Sequence, residues 1–167
     1  MLSAISSRRR FSDLTEQEVL ALAIASEEDD AQIYRTYAER LRAEYPASAA
    51  VFDGMAAEED GHRRQLIDLH QARFGQVIPL IRREHVAGFY ARKPVWLNET
   101  LGLDAIRAEA HAMEVQASAF YTRAAARTQD AATRKLLGDL AAAEAGHADH
   151  ADALRAERLS GDEKADE

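Results

Sequence analysis

The chain has 167 residues, 47% of them apolar and only 7% aromatic, with no cysteine and a formal net charge of −8. That length supports one domain with a sizeable core, and the abundance of Ala, Leu and Glu favours helices over sheet. The acidic balance argues against nucleic acid as a partner, and the lack of thiols excludes disulfides, thiolate nucleophiles and sulfur-ligated zinc or iron.

Residues 1–13 read as a loose basic lead-in in which Arg8, Arg9 and Arg10 are solvated. No apolar run reaches the length of a signal-peptide core or a membrane span, so the expectation for the chain as given is a soluble, cytoplasmic protein. Thr15-x-x-Glu18 is a capping box and predicts a first helix from there to about Glu44, ahead of Pro46. Its inward stripe is Leu20, Ile24, Glu27, Ala31, Tyr34, Ala38 and Leu41, in alternating steps of four and three. One carboxylate, Glu27, therefore occupies a core position, whereas Glu28 lies about 100° away around the helix.

The second helix is predicted from Pro46–Ser48 to Gly75, since Pro suits a first turn and Gly a helix end. Its stripe runs Phe52, Met55, Glu59, His62, Leu66, Leu69, so the pair Glu59-x-x-His62 sits where apolar residues belong. A buried carboxylate costs several kcal/mol unless it is paired, and a bound cation removes that cost. Residues 76–100 break the pattern with Pro79, Gly88 and Pro94 among Phe89, Tyr90, Val95 and Trp96. This segment reads as a crossover, with a short helix over Ile81–Tyr90 and aromatics packed on a bundle edge or a partner subunit. His85 within it is expected to be an ordinary surface histidine.

The third helix is predicted from Gly102–Asp104 to about Arg127, with Leu103, Ala110, Glu114, Ala117 and Tyr121 inward. The fourth starts after Asp130 as N-cap and fades near Arg158 into a polar tail, residues 159–167, that resembles a linker. It repeats the second helix: Leu137, Leu140, Glu144, His147, Ala151 and Leu154 share its rhythm.

The chain thus carries one pattern twice, Glu27, Tyr34, Glu59, His62 and then Glu114, Tyr121, Glu144, His147, with the single Glu repeating after 87 residues and the pair after 85. Four-helix carboxylate bundles hold two metal ions with such a set, one Glu from each of two helices and Glu-x-x-His from each of the others. Four carboxylates and two neutral imidazoles balance two divalent ions. The oxygen-rich ligation suits iron(II) or manganese, with zinc as a redox-silent substitute. Tyr34 and Tyr121 are either donors that orient the carboxylates or core tyrosines with satisfied hydroxyls. His111, one turn before Glu114, is expected to be a partly exposed structural histidine rather than an entry ligand.

On these residues the chain resembles the ferritin-like and rubrerythrin-like di-iron carboxylate proteins. More narrowly, FSDLTEQEVLALAIASEEDDAQIYRTYAERL and EHVAGFYARKPVW resemble the ferritin-like (erythrin) domain of membrane-bound ferritins, which precedes a membrane domain like that of vacuolar iron transporters. The likeness covers about Phe11 to Leu154 and implies an all-α, ferritin-like four-helix bundle over residues 14–158, with a long crossover between helices 2 and 3. It further implies Glu27 and Glu114 as terminal ligands, Glu59 and Glu144 as bridges between two irons, and His62 and His147 each on one ion. There are two departures: Ala117 stands where rubrerythrins carry a second Glu, and their cysteine-ligated electron-transfer iron centre is missing.

Without that electron source, the expected activity is a ferroxidase-type oxidation of incoming iron(II) by dioxygen or hydrogen peroxide, for iron detoxification or delivery. The alternative is a non-catalytic iron or manganese-binding module of a transporter. A homodimer, and a membrane transporter domain beyond Glu167 that would put this domain on the cytoplasmic face of a membrane, complete the expectations.

Overall fold

A computed structural model describes residues 8–89 and 102–162, with side chains described as far as residue 148. The chain divides into two compact units, residues 1–99 and 100–167, each built on one helical hairpin. In the first, α1 (Glu16–Leu41) packs on α2 (Pro46–Phe74), and in the second, α3 (Leu103–Arg127) packs on α4 (Ala131–Asp162). The short connections make the paired helices antiparallel neighbours.

Helix α1 begins where its capping box predicts. The Thr15 hydroxyl accepts from the Glu18 N–H at 3.2 Å, and the Glu18 carboxylate accepts from the Thr15 N–H at 3.2 Å. All of Leu20, Ile24, Ala31, Tyr34, Ala38 and Leu41 are buried together with Glu27, while Glu28 is exposed, so the helix has the register its apolar stripe requires. It stops at Leu41 rather than Glu44. Pro46 occupies the first turn of α2 and keeps Tyr45 out of helical geometry, at φ −131° and ψ 65°, so residues 42–44 form the reversal. Phe52 fills the hairpin core against Tyr34 and Tyr37, with ring centroids 6.1 and 5.6 Å away.

Helix α2 ends at Gly75, whose φ of 90° favours glycine. The fully buried His70 ties this end to the start of α1, a contact the sequence did not suggest. Its Nδ1–H donates to the Gly75 carbonyl at 3.0 Å, and its Nε2 accepts from the Gln17 amide at 3.4 Å. Arg73 pairs with Glu16 at 2.8 Å alongside.

The crossover and the lead-in depart from expectation together. In place of a helix over Ile81–Tyr90 there is a single 3₁₀ turn, Arg83–His85, followed by β2 (Val86–Ala87), which pairs in parallel with β1 (Arg9–Arg10). The lead-in is consequently held from Arg9 onward, with Phe11 and Leu14 buried and Arg9 ion-paired to Glu18. A strand pair forms here because Val86 gains burial and the two segments satisfy each other's backbone groups. His85 is exposed, as expected, and its Nδ1 accepts from the Arg82 N–H at 3.1 Å. Tyr90, Pro94, Val95 and Trp96, residues 1–7 of the lead-in, residues 163–167 of the tail and the side chains of Ala151 and Leu154 lie outside the described residues.

In the second hairpin, Asp130 caps α4 by accepting from the Thr133 N–H at 2.9 Å, as its position predicts. The Ser118 hydroxyl of α3 donates to the Ala141 carbonyl of α4 at 2.9 Å. Helix α4 continues to Asp162 instead of fading near Arg158, since the good helix formers Leu154 to Leu159 supply no stop signal. Among the described residues no helix is long and apolar enough to cross a membrane.

The Glu18 carboxyl is held below the usual range, first by its hydrogen bonds to Arg9 and then by the Thr15 N–H. A depressed carboxyl stabilises the fold above its unfolded pKa, and that contribution is lost as the pH falls through the folded value. Glu18→Gln is therefore expected to lose at most about 1 kcal/mol at pH 7. Urea unfolding at stepped pH should show the gap from wild type closing on acidification. A gap of constant size would assign the loss to something other than the charge.

Candidate functional site

Each hairpin brings one Glu from its first helix to a Glu-x-x-His pair on its second. In α2, Glu59 and His62 lie three residues apart and so share a face, one turn above the other. Packing α1 against that face sets Glu27 opposite them, and the ligand atoms offered by Glu27, Glu59 and His62 all lie within 4.8 Å of one another. His62 Nδ1 stands 3.8 Å from Glu27 Oε2. The second hairpin repeats this construction with Glu114 on α3 and Glu144 and His147 on α4, again within 4.8 Å. His147 Nδ1 lies 3.2 Å from Glu114 Oε2 and 3.9 Å from Glu144 Oε2.

Burial makes these groups unusual. Glu27 exposes 2% of its surface, and Glu59, Glu114 and Glu144 only 1% each, which removes each carboxylate from nearly all of its hydration. Acidic side chains are almost never this buried unless paired or bound to metal. Within each hairpin the single Glu faces an imidazole nitrogen. Carboxylate oxygens with one imidazole nitrogen suit a divalent ion of the iron(II) or manganese type. The donor sets of both hairpins fit such an ion by chemistry and by convergence.

Tyr34 and Tyr121 are almost completely buried, as expected for either of their roles. Their ring contacts are with the core: Tyr34 on Phe52, and Tyr121 on Phe120 at 5.1 Å between centroids. His111 is half-buried on α3 and is in neither group of converging ligand atoms. Glu58, one residue from Glu59, is exposed.

Besides His70, a buried ion pair escaped the sequence reading. Asp30 and Arg83 are both buried, and the Arg83 guanidinium donates to Asp30 Oδ1 at 2.7 Å beside Glu27. A signal existed in the acidic run Glu27-Glu28-Asp29-Asp30: Asp30 falls about 60° from Glu27 around the helix, also inward, and a second inward acid needs a partner.

The family model of rubrerythrin matches residues 18–155, spanning all of α2 and α3, nearly all of α1 and most of α4. The chain belongs to the rubrerythrin family. Its fold class is accordingly the all-α, ferritin-like four-helix bundle, with the long crossover lying between α2 and α3. The rubrerythrin family typically binds iron, and both converging clusters of this rubrerythrin-family chain have the composition to take a metal ion. No curated protein and no solved structure matched the chain.

Proposed function

We propose that this rubrerythrin-family protein binds two iron ions and oxidises iron(II). The observation that carries the reading is the doubled triad: each hairpin buries two carboxylates and gathers them with one imidazole within 4.8 Å. As the family likeness implies, Glu27 and Glu114 serve as terminal ligands, Glu59 and Glu144 as ligands shared by both ions, and His62 and His147 as one nitrogen ligand per ion. When bound, two iron(II) ions supply two electrons, which with two protons reduce dioxygen to hydrogen peroxide or, with peroxide as oxidant, yield two waters.

The protein's own contribution is charge and geometry. Four carboxylates match the charge of two divalent ions in a low-dielectric interior, where that match is strongest. The helical i, i+3 spacing holds each Glu and His in fixed relative positions, so little reorganisation accompanies metal entry. Tyr34 and Tyr121, in this reading, orient carboxylates through their hydroxyls. Manganese or zinc occupies the same ligands without turnover.

The reading extends to residues 14–158 as the di-iron domain, 1–13 as lead-in and 159–167 as polar tail or linker, the first four residues of which continue α4. It also extends to a homodimer on the cytoplasmic side, and to iron detoxification or delivery to an attached membrane transporter.

Anaerobic titration of metal-free protein with iron(II) should reach two tight equivalents per chain. Admitting air should then consume oxygen in proportion to the iron added. Binding of a single equivalent would remove the two-ion reading. Two equivalents without oxygen consumption would leave a non-catalytic metal-binding module in its place.

A further inference from the structure

The turn of α1 that carries Glu27 is gripped from outside the hairpin by the crossover. Arg83, in the 3₁₀ turn before β2, buries its guanidinium against this turn: its Nη2 donates to Asp30 Oδ1 and to the Ser26 carbonyl, each at 2.7 Å, and its Nε donates to the Ser26 hydroxyl at 3.2 Å. Beside it, Arg82 donates to Asp29 Oδ1 at 2.7 Å. The side chains of Arg83 and Asp30 are each only 7% exposed.

The geometry of the grip matters more than its strength. On an α-helix Ser26 lies about 100° and Asp30 about 60° from Glu27, both on the same side. Arg83 therefore holds α1 by one flank across a full turn, the turn from which Glu27 meets Glu59 and His62. A buried ion pair adds little net stability, because desolvation offsets most of the Coulomb attraction. What it supplies is a unique orientation, through a planar fork that only one arrangement of acceptors satisfies.

At the repeat positions the second hairpin offers no ionic side chain to match Asp29 and Asp30. Shifted by the 87 residues of the internal repeat, Ser26, Asp29 and Asp30 become Met113, Gln116 and Ala117, none of them ionic. Glu114 meets its histidine at 3.2 Å, and Glu27 meets its own at 3.8 Å. The repeat is therefore close to symmetric in its ligating groups and asymmetric in what supports them.

We infer that Arg83, through Ser26 and Asp30, is a positioning residue for Glu27 that makes the two divalent-cation positions unequal, the one in the first hairpin depending on this Arg83 grip and the one in the second not. This inference rests on the two-ion reading above. Loss of a group that orients a metal ligand typically lowers affinity about 10–100-fold.

The test is an anaerobic titration with cobalt(II), followed by its visible absorption. Wild type should take up two equivalents. Arg83→Gln should keep one at wild-type affinity and weaken the other about 10–100-fold. A double-mutant cycle identifies which. In a Glu114→Ala background, Arg83→Gln should still weaken the remaining ion, and in a Glu27→Ala background it should change nothing further.

Arg83→Met/Asp30→Leu separates positioning from packing. It refills the volume with apolar groups and should melt near wild type, yet retain the cobalt defect because the guanidinium fork that held this flank of α1 is then gone. Restoration of both equivalents in that variant would overturn the inference, as would equal weakening of both ions in Arg83→Gln or no weakening at all. Failure of wild type itself to bind cobalt would instead remove the two-ion reading on which the inference stands.

Discussion

Glu59→Ala and Glu144→Ala should each abolish iron(II)-dependent oxygen consumption, whereas Glu27→Ala and Glu114→Ala should slow it and leave one metal ion bound. The difference follows from the number of ions each carboxylate serves in the proposed centre. A shared ligand holds both ions, so its loss removes a donor and a negative charge from each. A terminal ligand serves one ion, and its loss leaves the other hairpin's set of Glu, Glu and His intact. Glu28→Ala and Glu58→Ala control for register, since both side chains are exposed one residue away from a buried ligand candidate. They should keep nearly full activity. Oxygen-electrode rates and metal content measured on the same preparations decide the matter. Equal loss in all four ligand variants would remove the distinction between shared and terminal carboxylates, and an inactive Glu28→Ala beside an active Glu27→Ala would overturn the α1 assignment.

Stripping the metal should lower the melting temperature without unfolding the helices. The four carboxylates are nearly inaccessible to water, and like charges in a low-dielectric interior repel. Anything that binds the folded chain alone stabilises it, by about 2.7 kcal/mol per site at a hundredfold excess over Kd. For a domain of this size each kcal/mol is worth roughly 2–4 °C, so two occupied sites should raise the midpoint by at least about 10 °C. Anaerobic calorimetry with and without saturating iron(II) measures the shift, and circular dichroism at room temperature checks that the metal-free protein stays helical. Coincident midpoints would mean that the buried carboxylates are stabilised by something other than a cation.

Much of this protein was legible from periodicity alone. The alternation of threes and fours around Glu27 predicted a buried carboxylate, and Glu27 is buried with each apolar member of its stripe. The same rhythm put Glu59, Glu114 and Glu144 inside. The caps at Thr15 and Asp130 and the glycine end at Gly75 were likewise visible, because a helix terminus is specified by residues within one turn of it. The rubrerythrin family match over residues 18–155 agrees with the all-α class that these patterns implied and with the ferritin-like bundle that the resemblance implied.

What the sequence by itself determined are the features whose cause is local: helix register, helix starts, the inward Glu and His positions and their twofold repetition. Only the tertiary structure decided the rest. Arg9–Arg10 read as solvated coil and Val86–Ala87 as helix, until each supplied the other with a strand partner 77 residues away in the chain. Asp30 was not singled out from the sequence, and its partner Arg83 stands 53 residues further on in a segment broken by Pro and Gly. The helical period specifies which way a side chain faces. It carries no information about which distant group will be there to meet it, since that depends on how the connecting chain folds back and on which buried charges must find a counter-ion.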